Sequence, residues 1–440
     1  MSDREPSRQW SCWSRAQAEQ IERCEETVAP PAGMPDNDPA ADRHVWDTWP
    51  LRTRQGEIAV VDGWQVLIAL TAPADVTPAQ RHDIAEHRYF ISRDGTDWID
   101  AGSVFDDGAL GTRQWAGSAI VADGELYCFY TAAGDTDSAE RTYTQRLAVG
   151  YGGRIETTDN GVTISGPWSH EILLEPDGEW YETQAQSGEM TYTFRDPWFF
   201  VDPETEQMCL LFESNTPALA ADCGGNTDQQ SFNGCVGLAV SPSDDPCEWE
   251  FRQPIFDSVC VNQEIERPHI VHREDRYYLF VSSHVDTFAP GLAGYDGLYG
   301  FVADSLDGDY RPLNESGLVV TNPATAPFQA YSWLAIGHGE ELLVSGFLNY
   351  PAFSGSALGE LAALSGEEQR QRFAGTLTPT LRLAVDGDST RIRGTLGHWR
   401  FPRANETLPP VDELCISPAD IVSDPGLTRT ASRRDEGPVW

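Results

Sequence analysis

Residues 58–68, Ile58-Ala59-Val60-Val61-Asp62-Gly63-Trp64-Gln65-Val66-Leu67-Ile68, consist of two apolar runs separated by an Asp-Gly pair. Asp-Gly favours a two-residue hairpin turn, so this stretch predicts two antiparallel strands joined by a tight turn. A similar strand-turn-strand pattern recurs at residues 119–130, 198–212, 269–281 and 333–347, and outer strand-like runs follow the first four hairpins. Five copies of a roughly four-stranded unit predict an all-β, five-bladed β-propeller.

The regions outside the repeats predict short extensions rather than further domains. Residues 1–40 contain one helical pattern, at 14–22, followed by a Pro- and Asp-rich segment, which is typical of an N-terminal helical arm. Residues 41–400 hold the repeats and are expected to form the propeller domain. Residues 401–440 are expected to form a C-terminal extension that packs on the propeller or is partly disordered.

The charge of the chain is strongly unbalanced. There are 69 Asp and Glu against 30 Lys and Arg, which gives a net charge of −39, and the sequence contains no lysine. Such a surface repels nucleic acid and anionic membranes. In molar salt the Debye length falls to about 3 Å, which screens the self-repulsion. The composition therefore indicates a halophilic protein, and the 14 Trp, 14 Tyr and 18 Phe supply a core that an acidic disordered chain lacks.

The nine cysteines show no CxxC pair and no zinc-ligand spacing. Cys223 and Cys235 bracket a polar loop at 224–234 and are candidates for one local disulfide, although spacing alone does not fix the connectivity. The remaining cysteines are expected to be small buried residues.

No apolar run approaches the roughly 20 residues of a membrane-spanning helix, and the N-terminus has no apolar signal core.

One residue with functional chemistry precedes each predicted hairpin. These residues are Asp47, Trp115, Asp196, Glu266 and Tyr331. In a propeller, the starts of the innermost strands meet at one end of the central channel. Three carboxylates that are far apart in sequence are therefore predicted to be neighbours in space.

Two carboxyl groups about 5 Å apart are the equipment of a retaining glycosidase, in which one attacks the anomeric carbon and the other transfers protons. A third carboxylate can stabilise the positively charged transition state. Tryptophans suit the apolar faces of sugars, and arginines beside the acids can hold sugar hydroxyls. The sequence thus favours a carbohydrate-active site at the channel end.

Each feature also has a structural alternative. Trp46-Asp47 resembles the dipeptide of WD-type propellers, but it occurs once rather than once per blade. Arg195-Asp196 can be an ion pair at a turn, because Asp-Pro commonly starts turns. Glu264 and Glu266 alternate along a predicted strand and are expected to share a face. His284, taken by itself, is typical of a polar loop.

Five motifs, in order and spacing, resemble glycoside hydrolase family 68, the levansucrases and inulosucrases. They are Val45-Trp46-Asp47-Thr48-Trp49-Pro50, Gln114-Trp115-Ala116-Gly117-Ser118, Phe194-Arg195-Asp196-Pro197, Phe212-Glu213-Ser214-Asn215-Thr216 and Glu264-Ile265-Glu266-Arg267-Pro268-His269. The likeness runs from residue 13 to residue 382 and covers most of the chain. It implies a five-bladed propeller with its site in the central cavity, in agreement with the repeat count.

The resemblance also implies roles for individual residues. Asp47 would be the nucleophile, Asp196 the transition-state stabiliser and Glu266 the general acid/base. The residues that would line the sucrose site are Trp46, Trp115, Arg195, Glu264, Arg267 and Tyr331. The segment around His284 resembles the Gram-negative branch of the family, in which a histidine at this position helps to hold the acceptor.

Two positions depart from the family pattern. Many members have serine directly after the second-blade tryptophan, where its hydroxyl steadies the nucleophile, but this chain has Ala116. Gram-positive members often bind calcium through an aspartate just before the Glu-Ile-Glu stretch, where this chain has Gln263. We therefore predict neither a metal site nor a cofactor.

Together these observations predict a sucrose-dependent fructosyltransferase that makes inulin- or levan-type fructan by retaining double displacement. The expected partners are sucrose and fructan acceptors, with no nucleic acid and no membrane, and a monomer is favoured. Function suggests an extracellular location, with a salt-rich cytoplasm as the alternative. The alternatives are a sucrose or fructan hydrolase, an arabinan-acting relative, or a non-catalytic carbohydrate-binding propeller.

Overall fold

The computed structural model describes residues 10–422 except 107, 189, 356–357, 412–413 and 415. Its strands form five antiparallel blades around a central channel, as the repeats predict. None of the helices among the described residues is long and apolar enough to span a membrane.

The N-terminal arm precedes the first two blades along the chain. It contains β1 (Ser11–Cys12). Blade 1 contains β2 (Arg43–Thr53), β3 (Val60–Val61), β4 (Trp64–Pro73), β5 (Glu86–Ser92) and β6 (Ile99–Ser103). Blade 2 contains β7 (Arg113–Ala122), β8 (Glu125–Ala133), β9 (Gln145–Thr158), β10 (Gly161–Ser165) and β11 (Ser169–Leu174).

The remaining blades follow the same order. Blade 3 contains β12 (Phe194–Val201), β13 (Met208–Asn215), β14 (Gly234–Val240) and β15 (Glu250–Asp257). Blade 4 contains β16 (Glu266–Arg273), β17 (Arg276–Ser283), β18 (Gly297–Ala303), β19 (Arg311–Pro312) and β20 (Leu318–Thr321). Blade 5 contains β21 (Ala330–His338), β22 (Glu341–Leu348), β23 (Thr376–Leu377), β24 (Pro379–Asp386) and β25 (Ser389–His398).

Helices are short and lie outside the blades. They are α1 (Arg15–Ala18), α2 (Leu358–Ala362), α3 (Gly366–Arg372) and α4 (Pro418–Ile421), with 3-10 turns at Ala79–Asp83, Ala220–Cys223 and Val285–Thr287. Helix α1 is shorter than the predicted 14–22: Ser14 caps its N-terminus, and the helix stops after one turn. An isolated turn this short depends on packing, since helix propagation gains little over so few residues.

The innermost strands β2, β7, β12, β16 and β21 contact one another in that order, and β21 contacts β2 again, which closes the ring. Between blades 1 and 2 the contact becomes a parallel strand pairing, so that these two blades form one continuous sheet. Large apolar side chains fill the space between blades. Phe129 of blade 2, for example, stacks on Phe199 of blade 3 with ring centroids 5.4 Å apart.

The segments that precede and follow the blades in the chain hold neighbouring blades together. Strand β1 pairs in parallel with β15 of blade 3, and the buried Trp13 packs edge-on against Phe301 of blade 4. After blade 5 the chain returns to blade 1, where Phe401 N donates to Gly95 O at 2.9 Å. Gly95 has φ +69°, and a Cβ there would lie 2.0 Å from Phe401 O, so this docking requires glycine.

The predicted local disulfide is wrong. Cys223 is bonded to Cys260, 37 residues away, and Cys235 instead lies buried in β14. The bond joins the 3-10 turn after β13 to the connection between blades 3 and 4. Since Cys235 is committed to the β13–β14 pairing opposite Ser214, sequence proximity was a poor guide to the partner of Cys223.

Candidate active site

A β-bulge interrupts the innermost strand of every blade near its start. The register shifts lie at Trp46/Thr48, Trp115/Gly117, Arg195/Trp198, Glu266/His269 and Tyr331/Leu334. Four residues at these bulges have positive φ: Asp47 (40°), Asp196 (61°), Arg267 (52°) and Ser332 (53°). Such backbone is costly for non-glycine residues and is typical of functional sites, where a bulge re-aims a side chain.

The bulges bring the three predicted carboxylates into one network of alternating charge. Arg267 Nη1 lies 3.8 Å from Asp47 Oδ1, and the Arg267 backbone N–H donates to Asp196 Oδ2 at 3.2 Å. Arg195 Nε in turn lies 4.0 Å from Asp196 Oδ2, and its Nη2 donates to Glu266 Oε1 at 2.7 Å. The acids of blades 1, 3 and 4 are therefore linked through two arginines.

Arg195 makes most of the contacts in this network. Its guanidinium also contacts Glu213 Oε2 at 2.7 Å and Glu264 Oε2 at 2.9 Å, so that one cation serves three glutamates. Glu264 precedes β16 rather than lying within it, yet it shares Arg195 with Glu266, as the same-face expectation requires. The arginine is nearly buried, with 11% of its side chain exposed, and its planar fork suits several carboxylates at once.

Glu213 was missed as a site residue, although its motif was recognised. It is fully buried in β13, and burial raises its pKa well above the usual range despite the opposing charge of Arg195. Its signal was an acid directly after an apolar run of Leu210, Leu211 and Phe212. A buried charge at such a position needs a partner, and here the partner is Arg195 of the carboxylate network.

Glu266 is held from its other side by Tyr331, whose hydroxyl donates to Oε2. The Tyr331 ring stacks on His284, with centroids 3.4 Å apart and planes at 15°. His284 Nδ1 lies 3.2 Å from Asp296 Oδ2. Burial lowers the pKa of His284, but the hydrogen bond and charge of Asp296 together with the charges of Glu266 and Asp286 outweigh burial, and the net pKa is raised. His284 therefore lies in the connection after β17 but is buried against Tyr331 rather than exposed to solvent.

The protonation of the acids follows from their burial. Burial raises the pKa of Glu266 above its usual value, although Arg195 and His284 oppose the shift. Burial also raises the pKa of Asp196 to about 7, again against Arg195. A carboxyl group that keeps its proton to higher pH can act as a general acid, which suits Glu266.

Arg267 is fixed by groups on the neighbouring blades. Its Nη1 donates to Ser332 Oγ at 2.8 Å, and its Nη2 donates to Thr48 O at 2.6 Å. These bonds hold the arginine beside Asp47 while leaving that carboxylate partly open, with 18% of its side chain exposed. Asp47 thus faces the channel with a cation on one side.

The two predicted tryptophans meet at a turn that sequence reasoning missed. Trp46 is buried and packs edge-on against His82, with centroids 5.6 Å apart, and Trp115 Nε1 donates to His82 O at 2.8 Å. The adjacent Arg81 is buried, and its guanidinium lies 5.3 Å from the Trp46 ring. Burial lowers the pKa of Arg81 to about 10, and its charge is favoured by Tyr350, Asp47 and Glu266. The turn therefore adds a third cation near the acids.

Ala116, which replaces the family serine, is buried, and its carbonyl accepts a hydrogen bond from Thr131 Oγ1 at 3.2 Å. The same hydroxyl accepts a bond from the Asp196 backbone N–H at 2.9 Å. Thr131 thus bridges the bulges of blades 2 and 3.

Among the described residues, no cluster of three or more His, Cys, Asp or Glu is placed to bind a metal ion.

Comparison with known proteins identifies the family. The family described as levansucrase/invertase, glycoside hydrolase family 68, matches residues 1–399 of this chain. The chain belongs to glycoside hydrolase family 68. The resemblance of its motifs and the predicted five-bladed propeller are thereby confirmed.

Two relatives are similar over most of the chain. A levansucrase of Pseudomonas savastanoi pv. glycinea is 35% identical over 424 residues, which covers 89% of this chain and 96% of the relative. The structure of an inulosucrase from the halophilic archaeon Halalkalicoccus jeotgali, bound to kestose, is 57% identical. It covers 92% of this chain and 100% of its own, with a TM-score of 0.90.

A third comparison is more distant. The catalytic domain of a β-fructofuranosidase from Microbacterium saccharophilum K-1 is 29% identical, with a TM-score of 0.74. It covers 90% of this chain and 94% of its own. The chain is thus similar both to a levansucrase and an inulosucrase and to a β-fructofuranosidase.

Proposed function

We propose that this protein is a sucrose-dependent fructosyltransferase that makes fructan of the inulin type. The observation that carries the proposal is the network in which Arg267 and Arg195 join Asp47, Asp196 and Glu266 at one end of the channel. A nucleophile, a charge stabiliser and an acid/base on three blades are the groups that a retaining glycosyl transfer needs.

In the first step, an Asp47 oxygen attacks C2 of the fructosyl unit of sucrose. The bond from C2 to the bridging oxygen breaks, and Glu266 gives its proton to that oxygen, so that glucose leaves and a fructosyl ester of Asp47 remains. Asp196, as a carboxylate beside Arg267, faces the positive charge that develops on the sugar ring.

In the second step, Glu266 acts as a base. It removes the proton from an acceptor hydroxyl, whose oxygen attacks C2, and the ester bond to Asp47 breaks. The enzyme returns to its starting state with Asp47 ionised and Glu266 protonated. Arg195 and Tyr331, which contact opposite oxygens of Glu266, keep the acid/base in place in both protonation states.

The inulin-type product is supported by the greater similarity to the halophilic inulosucrase, at 57% identity, than to the levansucrase, at 35%. In an inulin the attacking group is O1 of a fructosyl unit, whereas in a levan it is O6. We assign the acceptor side to His284, since it stacks on Tyr331, the residue that donates a hydrogen bond to Glu266.

The proposal is tested by incubating the protein with sucrose in molar KCl and quantifying the released glucose and fructose. We expect glucose well in excess of fructose, and a carbon NMR spectrum with the linkage to O1. Equal amounts of both sugars would instead support a hydrolase, the second candidate, which the similarity to the β-fructofuranosidase favours. Release of neither sugar would leave a non-catalytic binding propeller.

We also propose that the protein acts outside the cell, where sucrose and polymeric fructan meet. The Cys223–Cys260 disulfide supports this location, because such bonds persist in oxidising compartments. Detection of the protein in the culture medium of the producing cell tests the location, and its retention in a salt-rich cytoplasm would contradict it.

A further inference from the structure

Among the aromatic residues that the structure describes, Tyr143 is the only one whose side chain is classed as exposed. Its exposed fraction is 39%. Exposed aromatic rings at the edge of a carbohydrate site are natural stacking surfaces, since their faces match the apolar faces of sugars. The exposed Tyr143 ring is therefore a candidate stacking surface for a sugar.

Tyr143 lies at the same end of the propeller as the site. In blade 2, Arg113 and Trp115 at the start of β7 pair with Ala133 and Thr131 at the end of β8. The loop 134–144, which joins β8 to β9, therefore leaves the sheet beside the bulge that carries Trp115. Tyr143 is next to the last residue of that loop.

One guanidinium connects Tyr143 to the site. Arg113 Cζ lies 5.0 Å from the centroid of the Tyr143 ring and 5.2 Å from that of the Trp115 ring. Arg113 and Trp115 are two residues apart on β7, and side chains at this spacing share one face of a strand. The buried Arg113 thus lies between the two rings and links Trp115, beside the site, to the exposed Tyr143.

The loop that carries Tyr143 is held by hydrogen bonds on both sides of the ring. Arg113 Nη2 donates to Thr142 O at 2.8 Å, and Thr142 Oγ1 accepts from Asp135 N at 2.7 Å. Gly134 N donates to Thr144 O at 2.8 Å. A ring on a loop that is already ordered binds a ligand with less loss of conformational entropy.

We propose that Tyr143 is an outer platform for a fructan chain, on which a fructosyl unit of the acceptor or growing product stacks after leaving the site past Trp115. The occupant is a neutral fructooligosaccharide. This inference rests on the proposed function, because it names where the chain product of that reaction is held. The ring face that is not covered by Arg113 supplies the contact.

The test compares Tyr143→Ala with wild type, using sucrose as donor and an inulin-type oligosaccharide of four or five units as acceptor. Loss of the ring is expected to raise the KM for the oligosaccharide about 3- to 10-fold, to change the KM for sucrose less than about 2-fold, and to shorten the products. Tyr143→Phe keeps the ring and should behave like wild type. Ile99→Ala, which removes another exposed apolar side chain, on β6, is the matched control.

Two results would overturn the platform. One is an unchanged acceptor KM and product length in Tyr143→Ala; the other is an equal loss in Tyr143→Phe, which would assign the effect to the hydroxyl and not to stacking. If wild type does not cleave sucrose, the proposed function fails separately. Calorimetric titration of the same oligosaccharide into wild type and Tyr143→Ala then still decides whether the ring binds it.

Discussion

Arg195 donates to Glu266 at 2.7 Å and so ties the third blade to the proposed acid/base of the fourth. The same guanidinium holds Glu213 and Glu264, and it is almost wholly buried. Charge pairs in such surroundings are costly to break, because the remaining charge stays buried without its partner. In the proposed mechanism, the position of the acid/base therefore depends on an arginine that itself performs no proton transfer.

Arg195→Lys keeps the charge but loses the fork that serves three carboxylates. We expect kcat/KM for sucrose to fall at least about 100-fold, which corresponds to about 3 kcal/mol of lost stabilisation. Initial rates of glucose release measure the effect. Arg252→Lys, at a surface pair with Glu250 of 3.5 Å, is the control and should retain wild-type rates. An active Arg195→Lys enzyme would show that the network does not position Glu266.

The Tyr331 hydroxyl stabilises the ionised form of Glu266 by donating a hydrogen bond to it. Tyr331→Phe removes that bond, so the pKa of Glu266 should rise further. Because Glu266 must be protonated to act as an acid, the alkaline limb of kcat/KM is expected to move to higher pH. Tyr310→Phe, a buried tyrosine outside the site, should leave the limb in place. A shift to lower pH would contradict the assigned role.

The pKa of Asp196, raised to about 7 by burial, implies a cost to stability. The folded state holds this proton more tightly than the unfolded chain does, so ionisation destabilises the fold fully above pH 7 and not at all below about pH 4. Asp196→Asn should therefore raise the unfolding temperature at pH 8 and leave it unchanged at pH 4, while activity is lost. The gain in stability should be of the order of a few kcal/mol.

Thermal unfolding of wild type and Asp196→Asn at both pH values tests this expectation. Asp304→Asn, at an exposed position, is the control and should match wild type at pH 8 and pH 4. Equal unfolding temperatures for Asp196→Asn and wild type at pH 8 would mean that the buried aspartate carries no cost.

The Cys223–Cys260 bond closes a loop of 37 residues, for which chain entropy predicts about 2 to 4 kcal/mol of stabilisation. Peptide mapping without reductant should recover these two cysteines in one linked pair. Reductant should lower the unfolding temperature of wild type but not that of Cys223→Ser. A linked pair of Cys223 and Cys235 would contradict the structure and restore the connectivity that spacing suggested.

Sequence reasoning succeeded where the local pattern decides the structure. Asp62-Gly63 and Asp123-Gly124 were predicted to be hairpin turns, and all four residues have positive φ, as turns of this kind require. Repetition of the hairpins then placed the starts of the innermost strands together. The convergence of Asp47, Asp196 and Glu266 follows from that topology alone.

Contacts between distant segments could not be predicted in this way. Arg81 lies on a 3-10 turn with no strand pattern, and its relation to the acids depends on how that turn packs against Trp46. The partner of Cys223 depends on the path of the connection between blades 3 and 4. Glu213 gave a signal, an acid directly after an apolar run, but its contact with Arg195 became visible only in the structure.

The central claim is that Asp47 forms a covalent bond to the fructosyl unit. Glu266→Gln, treated with fructosyl fluoride, bypasses the need for leaving-group protonation while the second step is slowed by the missing base. Mass spectrometry of the denatured, digested enzyme should find one fructosyl unit on the peptide that contains Asp47, and none in Asp47→Asn/Glu266→Gln. A fructosyl unit on another residue, or turnover that persists in Asp47→Asn, would contradict the account.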